Sequence, residues 1–197
     1  MRIVAGRWAG LELMSPGERV RPTMEPLREA CMRYLAANLG GARVLDLFAG
    51  TGAIGLEALS RGAASVDFVE NGTSAIHALK ANVAKVKARD RVRIFIRDAI
   101  PFALALPEGA YDLAFADPPY GSKKLDRVVS TWLETPFSRV LVAEHEVGHD
   151  FGASTRVAHS IRAEDCVASI LVAGLVPTST TLEVLAIAPR KIQPRRR

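Results

Sequence analysis

The chain has 197 residues, 49% hydrophobic and 24% charged, and no apolar run approaches the ~18 residues of a membrane span. This excludes a disordered polymer and a helical membrane protein, and favours one globular domain with a short arm or tail. A formal net charge of +5 and a pI near 9.6 push mildly toward a polyanionic partner.

Met1–Trp8 lacks the apolar core of a signal peptide, and Cys31 and Cys166 have no metal-type spacing, so the expected setting is a reducing cytoplasm with both thiols in the core. Residues 1–22 hold Gly6, Gly10, Pro16, Gly17 and Pro22 among Arg2, Arg7, Arg19 and Arg21, a pattern for a basic hairpin or arm. Thr23 or Glu25 can then cap a helix with Pro26 in its first turn. Leu27, Cys31, Tyr34, Leu35 and Leu39 give it an apolar face, and Gly40-Gly41 ends it.

From Arg43 onward strand and helix patterns alternate, which predicts an α/β fold, a doubly wound and mostly parallel sheet covered on both faces. Strands are expected near 43–48, 65–70, 91–96, 111–117 and 138–144, with helices near 53–61, 73–87, 99–106 and 123–134. Cys166–Val176 and Thr181–Ala188 read as an antiparallel pair around Pro177–Thr180 that closes a seven-stranded sheet. The expected organisation is an arm and helix over 1–40, one domain over 41–190 and a basic tail over 191–197.

Val44–Phe48 is an apolar strand that runs into Gly50-Thr51-Gly52 and then Gly55, a G-x-G-x-x-G spacing suited to a tight turn, close ligand approach and close helix packing. Asp46 adds an anion at the end of that strand, which suits an ammonium or sulfonium ligand better than a phosphate. Ligands of open parallel sheets bind outside the carboxyl ends of the strands. Four acids fall at four successive strand ends: Asp46, Glu70, Asp98 and Asp117. Glu70 lies 24 residues after Asp46, near the spacing at which an acid takes ribose hydroxyls. In Asp117-Pro118-Pro119-Tyr120 the prolines remove two amide donors, so the carboxylate and nearby carbonyls can accept from an incoming N–H, while Tyr120 offers a ring for a base.

These motifs resemble those of class I S-adenosylmethionine-dependent methyltransferases that act on exocyclic amines. With Arg21-Pro22-Thr23, Arg28-Glu29-Ala30 and Leu56–Ala63, they resemble more narrowly the RsmD family of bacterial 16S ribosomal RNA guanine-N2 methyltransferases. The resemblance covers roughly residues 2–146, does not extend to Glu146–Val176, and has Thr51 where a serine is usual. It implies S-adenosylmethionine at Asp46, Phe48, Gly50, Thr51 and Gly52, with ribose at Glu70 and adenine beside Asp98. It also implies that Asp117, the Pro118 carbonyl and Tyr120 hold the guanine. Arg2, Arg7, Arg19 and Arg21 would grip the phosphates of 16S rRNA or the small ribosomal subunit, and the protein is expected to act as a monomer. Alternatives are adenine-N6 or another exocyclic-amine methylation, perhaps of DNA, and a noncatalytic RNA-binding or ribosome-assembly factor. A nicotinamide oxidoreductase shares the glycines but leaves residues 117–120 unexplained.

His145-Glu146-Val147-Gly148-His149 spells H-E-x-x-H, yet it follows a strand directly and contains Gly148, so no metal site is assigned to it. His77 and His159 read as surface or packing residues.

Overall fold

A computed structural model describes residues 1–15, 25–152 and 155–174. The first elements are helix α1 (Glu25–Tyr34) and the short α2 (Ala36–Leu39), so the single helix expected up to Gly40 breaks at Leu35. Then come β1 (Arg43–Leu47), α3 (Ala53–Ser60), β2 (Ser65–Glu70), α4 (Thr73–Lys85), β3 (Val92–Ile96), α5 (Ala99–Leu104), β4 (Tyr111–Ala116), α6 (Lys124–Glu134), β5 (Ser138–Glu146), β6 (His159–Ala163) and β7 (Cys166–Val172). Each expected strand and helix between 43 and 144 is present within a few residues of its predicted bounds. A 3-10 turn at Arg89–Arg91 was not anticipated.

The sheet has seven strands in the order β3-β2-β1-β4-β5-β7-β6, with β7 antiparallel to both of its neighbours. The outer neighbour of β7 corrects the sequence reading: with β5 on one edge, the other edge is taken by β6, on the amino side of Cys166. The predicted strand at Thr181–Ala188 and the tail at 191–197 lie outside the described residues. His159–Ala163 escaped notice because a short edge strand buries too little to show an apolar run. Its first residue is nonetheless fixed, since the His159 ring stacks on Tyr34 of α1 with centroids 4.3 Å apart.

Central strand β1 is buried over Val44–Leu47 and feeds two cores. Val44 belongs to the cluster under α1, α3 and the arm, with Phe68, Leu79 and Cys31; Leu45 and Leu47 belong to the cluster under α5 and α6, with Trp132 and Phe137. Asp46 alternates with Leu45 and Leu47, so it lies on the α3 side.

The arm is an extended hairpin closed by an Arg2–Glu12 bridge, with Ile3 and Leu13 in the core. It is anchored on α3. Glu57, fully buried, accepts the amides of Val4 (2.7 Å) and Ala5 (3.0 Å) and the Arg61 guanidinium (2.8 Å). Arg28 Nε stands 3.8 Å from the same carboxylate. Ser60 takes the amide of Trp8 and donates to the Ala5 carbonyl, and Gly6, at φ +85°, sits where a Cβ would meet the Ser60 carbonyl oxygen at 2.1 Å.

Glu57→Ala would leave the buried Arg28 without its counter-ion and the two arm amides without their acceptor, a loss of about 3–5 kcal/mol. We expect that loss in urea melts, together with early proteolysis within residues 1–15. A loss below about 1 kcal/mol would mean that apolar packing alone holds the arm.

Candidate functional site at the carboxyl ends of the strands

The loop after β1 is shaped by three backbone constraints. Phe48 has φ +59°, an uncommon conformation for a bulky residue, and so redirects the chain as the strand ends. Gly52, at φ +79°, precedes α3, and a Cβ there would meet Leu79 Cδ1 at 2.4 Å. At Gly55 a Cβ would meet Phe68 Cε1 at 2.4 Å and Val66 Cγ1 at 2.7 Å, so α3 can lie on the sheet only with glycine at this point. Gly50 differs from both. It has φ +55°, and the position of its missing Cβ meets only the Phe48 carbonyl oxygen at 4.0 Å, leaving open space above the turn.

Asp46 lies beneath this turn, 1% exposed, and its Oδ2 accepts the Gly55 amide at 3.0 Å. Burial raises its carboxyl well above the ordinary aspartate range; the Gly55 amide opposes this, and the charges of Asp117 and Glu70 reinforce it. Glu70 is tied to the same loop, with Oε2 accepting the Gly50 amide at 2.8 Å and Oε1 those of Asn71 (2.9 Å) and Gly72 (2.6 Å). Asp98 caps α5 through the Ile100 amide at 2.8 Å and is otherwise exposed. Thr51 is buried, its hydroxyl 3.5 Å from Met1 Sδ.

Asp117 follows Ala116, which pairs with Leu47 on one side and Ala143 on the other, so the Asp117-Pro118-Pro119-Tyr120 loop leaves the sheet next to the glycine turn. Tyr120 Oη donates to Cys166 Sγ at 3.0 Å and Glu144 Oε1 at 3.3 Å, which fixes its ring. Burial, followed by these two partners, raises the phenol pKa. Behind Asp117 lies a cavity of about 20 Å³ lined by Arg28, Cys31, Asp117 and Glu144 among apolar residues, room for about one water. Arg28 Nε and Nη1 make no hydrogen bond there among the described residues. Desolvation lowers the guanidinium pKa of Arg28, opposed by Glu57.

The structure thus brings Asp46, Phe48, Gly50, Thr51, Gly52, Glu70, Asp98, Asp117, Pro118 and Tyr120 to one end of the sheet. The arginines are dispersed. Arg2 is exposed and pairs with Glu25 at 3.4 Å. Arg7 donates its amide to the Ser60 carbonyl at the far end of α3, away from the glycine turn. Arg19 and Arg21 lie outside the described residues. The two histidines of H-E-x-x-H stand on or after β5, not on a helix, and point to different partners: His145 Nε2 to Ser169 Oγ (2.8 Å) and His149 Nε2 to Asp126 Oδ1 (2.9 Å). Burial lowers the His145 pKa.

Sequence reasoning missed Asn82, fully buried in α4, which donates to the carbonyls of Thr51 (3.0 Å) and Met14 (3.1 Å) and accepts the Met14 amide (2.7 Å). An asparagine between Leu79 and Val83 on an apolar helix face was the available signal. Glu144 and Cys166 behind Tyr120 were missed as well, because nothing local marks them.

Sheet order, glycine turn and strand-end acids together define a Rossmann-like fold of the class I methyltransferase type. The family model described as "Conserved hypothetical protein 95" matches residues 1–165, and the chain belongs to this family, the RsmD family of the motif resemblance. The match runs past residue 146, where the motif resemblance ends, and takes in β6. A relative from Escherichia coli (strain K12), "Ribosomal RNA small subunit methyltransferase D", is 37% identical over 133 residues, 66% of this chain and 65% of that protein. The match therefore spans just under two thirds of that relative's length. A Haemophilus influenzae protein of the same name is 31% identical over 138 residues, 68% of this chain and 71% of its own. The solved structure of Escherichia coli yhhF superposes with a TM-score of 0.76 at 29% identity, covering 87% of this chain and 97% of that one.

The raised Asp46 carboxyl sets a pH dependence. Its folded pKa exceeds the unfolded value, so its contribution to stability is complete below about pH 4 and is lost as pH rises toward the folded pKa. Asp46→Asn keeps an acceptor for Gly55 and removes the charge. We expect the variant to match the parent near pH 4 and to be more stable than it at neutral pH in denaturant melts. Equal stability at both pH values would show that the parent carboxylate is ionised in the fold without cost.

Proposed function

We infer that this protein transfers a methyl group from S-adenosylmethionine to the 2-amino group of a guanine in 16S ribosomal RNA, acting as a cytoplasmic monomer. The observation that carries the reading is the adjacency of the acid-floored glycine turn after β1 and the Asp117-Pro118-Pro119-Tyr120 loop after β4, on neighbouring strands. The names of the Escherichia coli and Haemophilus influenzae relatives support a ribosomal RNA substrate. Every proposed group comes from one chain, and among the described residues no helix is long and apolar enough to cross a membrane.

The residues present fit the cofactor. Burial disfavours the ionised form of Asp46, a cost that a neighbouring cation would relieve, and Gly50 leaves space above the turn. When bound, S-adenosylmethionine supplies an electrophilic methyl group on a sulfonium. Asp46, Phe48, Gly50, Thr51 and Gly52 hold its methionine end, Glu70 takes the ribose hydroxyls, and Asp98 lies beside the adenine. Both Glu70 oxygens already accept backbone amides, which fixes the carboxylate before any ligand arrives.

On the substrate side, Asp117 and the Pro118 carbonyl accept the two N–H bonds of the guanine amine. That nitrogen is a poor nucleophile because its lone pair is delocalised into the ring. Bent toward two acceptors it becomes more tetrahedral, and its lone pair can face the methyl group. Tyr120, held by Glu144 and Cys166, presents its ring to the base. A paired guanine has to leave its stack first. The exposed Arg2, together with Arg7, Arg19 and Arg21, contacts phosphates.

The decisive experiment incubates the protein with methyl-labelled cofactor and, separately, naked small-subunit RNA, small-subunit particles and DNA, followed by nucleoside analysis. We expect N2-methylguanosine from RNA. Label in N6-methyladenine would replace the guanine assignment, and no transfer to any RNA would remove the reading. Asp117→Ala should lower kcat about 10²- to 10³-fold and leave cofactor affinity unchanged by calorimetry.

A further inference from the structure

Between Lys80 and Arg97 the chain carries seven Lys or Arg residues against one acid, Asp90, seven positive less one negative, or +6; the whole chain has only +5. The fold gathers this segment on one margin of the molecule: the carboxyl end of α4, the turn Arg89–Arg91, and β3, which is an edge strand of the sheet. Lys80, Lys85, Lys87, Arg89 and Arg97 are exposed. Arg93 is already committed to Asp67. A cleft of about 340 Å³ opens here, with Lys80 and Arg89 as its cationic groups and Val83, Val92 and Ile94 as its apolar ones. At the amino end of β3 the arm tip joins the strip. The Arg91 guanidinium lies 5.4 Å from the Trp8 ring centroid, and that of Arg7 lies 5.9 Å from it. At the other end Arg97 adjoins Asp98, so the five residues of β3 carry the strip over about 16 Å toward the candidate site.

We propose that this margin is a second RNA-docking surface, which binds the sugar-phosphate backbone of a ribosomal RNA segment away from the target nucleotide. Lys80, Arg89 and Arg91 take phosphates, and the apolar part of the cleft covers a ribose or base face. The proposal rests on the RNA-substrate reading above. It also accounts for the position of Arg7, which is turned away from the reacting centre and would contact RNA here. Protection of an edge strand from pairing requires charges on β3 alone. It explains neither Lys80 on α4 nor the Arg91–Trp8 contact.

The test uses the full chain and Lys80→Gln/Arg89→Gln/Arg91→Gln, with fluorescence anisotropy on a labelled small-subunit RNA fragment across a salt series. A control triple, Arg33→Gln/Arg156→Gln/Arg162→Gln, removes the same charge from exposed positions elsewhere. We expect the first triple to bind roughly tenfold or more weakly at about 0.15 M salt, with the log–log salt slope reduced by about two to three. Its cofactor affinity and melting temperature should match those of the parent, and the control should lose much less RNA affinity. Equal losses in both triples, or none in the first, would overturn the proposal. If the parent protein neither binds nor methylates RNA, the substrate reading fails; if it does both and the first triple is unaffected, only the surface assignment fails.

Discussion

The close approach of α3 to the sheet is the constraint on which the rest of the structure depends. Gly52 and Gly55 have no room for a Cβ against Leu79, Phe68 and Val66. The contact they permit places the Gly55 amide on Asp46 and holds that carboxylate out of water. An ionised group at 1% exposure with one hydrogen bond is poorly compensated. Keeping such a group beneath the glycine turn costs the fold stability.

The same helix governs what happens at its other end. Glu57 and Ser60 face away from the turn and collect the arm, so one 8-residue helix couples the glycine loop to the amino-terminal hairpin. Asn82 of α4 closes a second link by joining Thr51 of the loop to Met14 of the arm. Two separate sets of buried polar contacts, one through Glu57 and Ser60 and one through Asn82, therefore tie the arm to α3 and to the loop.

What the sequence disclosed, and what it hid, divides along physical lines. The βα alternation from Arg43 to Glu144 was legible because buried parallel strands are short apolar runs and their helices carry a different period. Asp46, Glu70, Asp98 and Asp117 were legible because strand ends are where an open sheet exposes polar groups. The arm's anchorage was not, since Glu57 meets Val4 and Ala5 across 53 and 52 residues and no local pattern encodes such a meeting. Tyr120 could be read as a base platform, but not that Glu144 and Cys166, 24 and 46 residues further on, lock its ring. Strand β6 lacked an apolar run, and H-E-x-x-H was a literal match whose histidines, with ring centroids 5.3 Å apart, are bonded to Ser169 and Asp126 and do not stand on a helix.

The register of β1 has a consequence for the order in which the two halves of the site come into being. Val44 lies beside Val66, 22 residues later, and beside Leu113, 69 residues later. The Asp46–Gly50–Glu70 half closes over short loops, whereas the Asp117 half must wait for a contact three times as distant in the chain and costlier in loop entropy. Emerging from the ribosome amino end first, the chain can complete the half assigned to the cofactor while the half assigned to the amine is still being synthesised. Until β4 arrives, that nascent β1 has one open edge, and Leu45 and Leu47 have only the part of their core made by Val69 and the α5 residues Ala99, Ile100 and Ala103.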